Sequence, residues 1–218
     1  SCYACTNSCP AKIPLTPGLM TRAKEELLLA GNVPIELQDA LQNTQRYVNP
    51  LGESPRKRAA WTRGIEPPVT VMSQVNRPVD VLWFVGDYAS FSPSLLETTM
   101  KTAKVFQKAG LDFGILFDAE RNAGNDVRRA GEEGLFEVLV EQNAKALAKA
   151  DFKAIITTDP HTYNTLKNEY PEDVINGKPI LHYSEIIDGL IETGKIRFTK
   201  KLGLKVTYHD PCYLARYN

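Results

Sequence analysis

Apolar residues follow two different periods along this chain, and the change falls near residue 75. In the first part, Leu19, Ala23, Leu27 and Ala30 recur at helical spacing. Thr16 and Pro17 suit the start of that helix and Gly31 suits its exit. A second short helix is predicted from residue 34 to about 45. Prolines are frequent over 49–78, which predicts a connector with one short helical piece near 56–61. Beyond that point, short runs of β-branched and aromatic residues alternate with amphipathic stretches. Strands are predicted at 79–85, 113–117, 153–157, 179–182 and 205–208. Helices are predicted at 92–110 (Leu96, Met100, Ala103 and Phe106 inward), 132–150 (Leu135, Leu139 and Leu147 inward), 160–169 and 184–192. Strand and helix alternating at such short spacing predict an α/β fold, a mostly parallel sheet with helices on both faces. In such sheets ligands gather beyond the carboxyl ends of the strands.

Composition narrows the classes. The 26 basic and 26 acidic side chains balance to a formal charge of zero, whereas a nucleic-acid binder draws its affinity from a basic excess. No apolar run approaches the roughly 18–20 residues that span a bilayer. No basic-then-apolar signal pattern opens the chain, so a cytoplasmic location is expected. The first residue, Ser1, is not a start methionine, and the natural protein is expected to extend upstream.

The strongest chemical signal is CYACTNSCP: Cys2, Cys5, Cys9 and Pro10, in a proline-punctuated loop over residues 1–15. Three of the four cysteines fall within this one loop, which points to metal rather than a disulfide framework. Two cysteines three apart can reach two irons of one [4Fe–4S] cube, and a third followed by proline leaves the loop for a second cluster in two-cluster ferredoxins. The bacterial motif has one further cysteine, which would precede Ser1. A structural zinc site is the main competitor, since zinc takes thiolates at this spacing. No second thiol pair or histidine pair lies nearby to complete it.

A second constellation keeps its spacing. The first strand of the α/β part ends in Gly86-Asp87. Thirty-five positions after Asp87 comes Asn122-Ala123-Gly124, followed by RRAGEEGLFE over 128–137. Thirty-six positions after Ala123 lies Asp159-Pro160-His161-Thr162, followed by YNTLKNEYP. The last ten residues read HDPCYLARYN. In this pattern the chain resembles the cysteine-rich (CCG) domain of iron–sulfur oxidoreductases. That family includes the catalytic subunit of heterodisulfide reductase and the iron–sulfur subunits of glycolate and lactate oxidation. Each half-domain of the family offers Gly-Cys, then Cys-Cys-Gly, then Cys-Pro-His-Cys.

Relative to that resemblance, Asp87, Asn122, Ala123, Asp159 and Thr162 stand where the family has cysteines, so a retained scaffold without its cluster is expected. Cys212 stands where a second half-domain would place its first ligand. The resemblance implies four segments: the end of a ferredoxin-like segment (1–31), a helical, proline-rich connector (32–75), a degenerate first cysteine-rich half (76–200) and the start of a second half (201–218). It implies [4Fe–4S] clusters in the full-length protein, with Cys2, Cys5, Cys9 and Cys212 as ligands, and an electron-transfer role in an oxidoreductase complex. The implied partners are other redox subunits, a flavoprotein or a membrane quinone-reactive subunit, which would hold the protein at the periphery of the inner membrane. The alternative is a structural or docking module of such a complex.

Other residues have plainer readings. His161 reads as a partly exposed loop histidine beside a polar mouth formed with Asp87, Asn122 and Asp159. His209 and Asp210 read as the end of a strand in a turn. Arg56, Lys57, Arg58 and Arg63 read as a solvated helix face, with docking of an acidic partner as the alternative. Asp87 and Asp159 as a general acid–base pair lack any accompanying nucleophile or phosphate loop.

Overall fold

The structure, a computed structural model, describes residues 2–218; Ser1 lies outside them. A five-stranded, fully parallel sheet forms the centre, built from β1 (Thr70–Val71), β2 (Val79–Phe84), β3 (Phe113–Ile115), β4 (Phe152–Thr157) and β5 (Ile180–His182). Their order is β1-β3-β2-β4-β5. The longest register pairs β2 with β4, from Val79↔Phe152 to Phe84↔Thr157. From β2 the chain turns one way to β3 and then crosses to the other side for β4. The carboxyl ends of β2 and β4 therefore flank the topological switch point, where parallel sheets open a crevice.

Alternation along β2 explains the two layers. Val81 and Trp83 face one core with Phe106 of helix α5 (Pro93–Lys108), whereas Leu82 and Phe84 face the other with Leu139 of α7 (Glu133–Leu147). Trp83 is fully buried, with the rings of Trp61 and Phe106 each 5.4 Å away. Ile156 and Ile155 of β4 divide between the same two cores. Such two-sided burial is why these strands read as continuous apolar runs. Of the remaining helices, α8 (Pro160–Asn168) covers the α7 face, and α10 (Tyr183–Glu192) covers the α5 face.

The amino-terminal part adds α1 (Ala4–Ser8), α2 (Met20–Leu29) and α3 (Ile35–Tyr47). Gly31 ends α2 with a positive φ of 74°, its N–H bonded to Leu28 O and that of Asn32 to Leu27 O. The predicted start of that helix is corrected. Thr16 and Pro17 lie in a π-type turn (Leu15–Leu19), and Thr16 caps nothing; its own N–H donates to Thr6 Oγ1 at 2.9 Å. The apolar face of α2 also stays open, since no residue of that helix is buried and Leu27 is 50% exposed. The helix docks through its backbone on Gly131, the αL residue that ends the short helix α6 (Asn125–Ala130). A Cβ on Gly131 would stand 2.5 Å from Glu25 N.

One predicted strand is absent. Residues 205–208 belong to no strand, and Leu202, Leu204, Val206 and Tyr208 are each 70–84% exposed. Their period-two pattern is that of a strand, but among the described residues no neighbouring strand bonds to it, and an isolated strand leaves its ladder unmade.

Candidate functional site

The five positions singled out by the family resemblance converge. Asp87, Asn122, Ala123, Asp159 and Thr162 all line one cavity of about 490 Å³ beyond the carboxyl ends of β2 and β4. Gly86, at φ 83°, turns the chain out of β2 so that Asp87 opens helix α4 (Asp87–Phe91). Gly124, at φ 94°, opens α6 where a Cβ would collide with the ring of Phe136. Gly86 and Gly124 thus each hold a positive φ at the mouth of the cavity.

Side chains cross-link the loops here. Asn122 Nδ2 donates to Asp87 Oδ2 at 2.6 Å, and Asn122 Oδ1 accepts from Gly124 N at 2.6 Å. Arg58 is the residue that sequence reasoning placed wrongly. It is 2% exposed rather than solvated; Nη2 donates to Asp87 Oδ1 at 2.6 Å and Nη1 to Glu120 Oε1 at 3.0 Å. Glu120, equally buried, also accepts the N–H groups of Val85 and Gly86, both at 2.9 Å. Burial pushes the carboxyls of Asp87 and Glu120 upward against the pull of Arg58. Burial likewise opposes the Arg58 charge, but the two carboxylates outweigh it and hold the guanidinium protonated. No periodicity flags Arg58, because it sits beside a single 3₁₀ turn of the connector and its partners lie 29 and 62 residues away.

Across the cavity, Asp159 caps α8. Its carboxylate accepts from His161 N at 3.1 Å, Thr162 N at 3.0 Å and Thr162 Oγ1 at 2.7 Å, with Pro160 at the first helical position. His161 Nδ1 lies 2.9 Å from Asp159 Oδ1. This hydrogen bond raises the His161 pKa despite partial burial. Burial would raise that of Asp159, but the His161 and Thr162 bonds outweigh it and lower it. His161 is half exposed, close to the plain reading of its sequence.

The thiols lie elsewhere. Cys2 and Cys5 are exposed, Cys9 is half-buried, and all are free. The backbone N–H of Ala4 and the charge of Arg216 lower the Cys2 thiol pKa, which favours the thiolate that binds metal. Cys212 opens helix α11 (Cys212–Ala215), which returns to this end of the molecule. Arg216 Nη1 lies 3.1 Å from Cys2 O and 3.5 Å from Cys212 Sγ. Tyr213 is buried against His161, their ring centroids 4.4 Å apart, and stacks on Tyr217 at 4.2 Å; Tyr217 in turn meets Tyr3 at 4.3 Å. His209 and Asp210 are exposed on the way.

The family described as cysteine-rich domain, CCG, matches residues 81–167. Over that segment the chain is similar to the CCG family. None of the four cysteines of the chain lies within it. Across its whole length the chain is 34% identical to the EtfAB:quinone oxidoreductase of Syntrophomonas wolfei and 32% identical to the probable iron–sulfur-binding oxidoreductase FadF of Bacillus subtilis, covering 31% of each. It is 26% identical to one subunit of the dihydromethanophenazine:CoB–CoM heterodisulfide reductase of Methanosarcina barkeri, covering 52% of that protein. The chain therefore spans about a third to a half of these relatives. No solved structure matches. An iron–sulfur cluster does not fit this cavity, because its polar lining is carboxylates, amides, hydroxyls and the single His161 imidazole, and no thiolate lines it. The amino-terminal loop offers the right chemistry in three thiols. Among the described residues, however, no three cysteine, histidine or acidic side chains converge to hold a metal ion.

Proposed function

We propose that this chain is part of an iron–sulfur electron-transfer subunit of an oxidoreductase complex. Cys2, Cys5 and Cys9 would hold iron of [4Fe–4S] clusters in the amino-terminal segment, and Cys212 would begin a separate ligand set in the second cysteine-rich half. When bound, such a cluster supplies one-electron transfer. The chain's own residues position and shield the thiols. The observation that carries this reading is the meeting of the two cysteine segments: Arg216 spans Cys2 and Cys212, which lie 210 positions apart. A cation beside thiolate ligands stabilises the added negative charge of a reduced centre.

The segments follow the divisions 1–31, 32–75, 76–200 and 201–218. In this arrangement the first CCG half is scaffold: Arg58, Asp87 and Glu120 tie together the loops that thiolates tie in the family. The relatives' names support a complex with a flavoprotein donor and a quinone-linked acceptor. On that reading the protein sits on the cytoplasmic side, attached to the inner membrane through its partners. No helix among the described residues is itself long and apolar enough to cross a membrane. The test is iron and acid-labile sulfide content of anaerobically purified full-length protein, with absorption near 400 nm. Loss of iron in C5S and C9S, with no loss in D87N or T162A, supports the assignment. A colourless, iron-free wild-type protein overturns it.

A further inference from the structure

A different cavity opens beyond the carboxyl ends of β1 and β3, where Met72 and Ser73 follow the one strand and Leu116 follows the other. Its volume is about 300 Å³, and the carboxyl end of α7 closes it with Ala146, Lys149 and Ala150. The apolar lining is Met72, Leu116 and three alanines. The polar lining is Ser73, Arg121, Gln142, Lys145 and Lys149. Three of these side chains are cations, and no carboxylate lines the site.

Arg121 is fixed in place by neutral groups. Its Nε donates to Gln142 Oε1 at 3.0 Å, and Nη1 donates to the carbonyls of Asp118 and Glu120 at 2.6 and 3.2 Å. Its Nη2 has no partner among the described residues and is not sealed from solvent. Partial burial and the like charge of Arg58 lower the Arg121 pKa, against the pull of Asp118 and Glu120. Lys149 is exposed and makes no hydrogen bond or ion pair. Of the nearby charges, Glu141 is taken by Lys145 at 2.6 Å and Glu120 by Arg58. Asp118 is exposed and stands outside the lining. After pairing, two cations therefore face the cavity against that one outlying carboxylate. The carbonyls of Ala146 and Leu147 accept the N–H groups of Lys149 and Ala150, which blunts the negative end of α7.

We propose that this cavity binds a small organic anion, a carboxylate on a short apolar stem. The carboxylate accepts from Arg121 Nη2 and Lys149 Nζ, and the stem lies against Met72, Leu116 and the alanines. A carboxylate suits two free donors because it only accepts, and its charge compensates a guanidinium that has no acidic partner. A cation finds no opposite charge in the lining, and a neutral amphiphile leaves both cations unpaired. The volume is at the lower end of small-molecule sites, which limits the stem to a few carbons. Parallel sheets place their ligands at this end of their strands. None of the lining residues is a cysteine or borders the cavity at β2 and β4, so the proposal stands apart from the cluster assignment.

The experiment is titration calorimetry of full-length protein with hexanoate, its neutral isostere hexanamide, acetate and inorganic phosphate, alongside Arg121→Gln and Lys149→Gln. Lys149 is exposed and unbonded, so its variant is expected to keep the fold; circular dichroism checks both. The expected result is saturable binding of hexanoate about tenfold tighter than hexanamide. Acetate and phosphate should bind more weakly than hexanoate. The gap between the two six-carbon probes should shrink in K149Q and vanish in folded R121Q. Absence of saturable hexanoate binding, equal affinity for the two six-carbon probes, or phosphate binding as tightly as hexanoate overturns the proposal. So does an unchanged gap in folded R121Q or in K149Q, and the latter decides the matter if R121Q does not fold.

Discussion

Replacing Arg58 with methionine leaves two carboxyl groups buried without their cation. The guanidinium makes ion-paired hydrogen bonds of 2.6 and 3.0 Å to groups that are all within a few per cent of full burial. Removing one partner of such a buried network costs about 3–5 kcal/mol, mostly the penalty of stranding the charges that remain. For a chain of this size each kcal/mol moves Tm by roughly 2–4 °C, so R58M should melt roughly 6–20 °C below wild type near pH 7.5. The pH dependence separates this cause from lost packing. Burial already raises the carboxyls of Asp87 and Glu120, and without Arg58 only the hydrogen bonds from Asn122 and from the Val85 and Gly86 N–H groups restrain that rise. A carboxyl with a raised folded-state pKa contributes stability at low pH and loses it as pH climbs through that value. The deficit of R58M relative to wild type should therefore shrink between pH 7.5 and pH 5. Thermal melts followed by circular dichroism at the two values measure it. Lys153→Met, which breaks an exposed pair with Asp80, serves as the control and should melt close to wild type at both pH values. An R58M deficit under about 1 kcal/mol at pH 7.5, or one that stays constant on acidification, would refute the reasoning.

Asp159→Ala removes the cap of α8 and should cost about 1–2 kcal/mol by urea denaturation. The Asp159–His161 pair contributes while both groups are charged. For His161, whose folded-state pKa lies above 6.5, that contribution is lost as pH rises through the raised value; for Asp159 it is lost as pH falls through the lowered one. H161Q should flatten the stability profile on the alkaline side of pH 6.5, and an unchanged profile counts against the pair. Gly131→Ala combines a φ of 99° with a backbone contact to Glu25. It should loosen α2 from α6, seen as faster proteolysis within residues 20–34 while the sheet stays protected.

The sheet was legible because its strands are buried on both faces. Runs such as 79–85 and 153–157 are nearly unbroken in apolar character, and Gly110 and Pro93 punctuate the helix between them. The two-residue β1 and the short helix α6 were missed because neither spans a full period of any pattern. The cavity was legible through the family resemblance and the spacing it prescribes, since Asp87, Asn122 and Asp159 do meet around one opening. Arg58 was not, because a buried arginine looks like a surface one until its partners are known, and these come from separate loops. The nearness of Cys212 to Cys2 was equally hidden, as it depends on α11 folding back over α8. The unpaired stretch 205–208 shows the opposite case, in which a correct strand pattern has no neighbour to bond.

The touching rings of Tyr3, Tyr217 and Tyr213, of which the last two are stacked, reach from the cysteine loop to His161 at the edge of the cavity. Residues drawn from the two ends of the chain thus share one aromatic surface at the edge of the cavity.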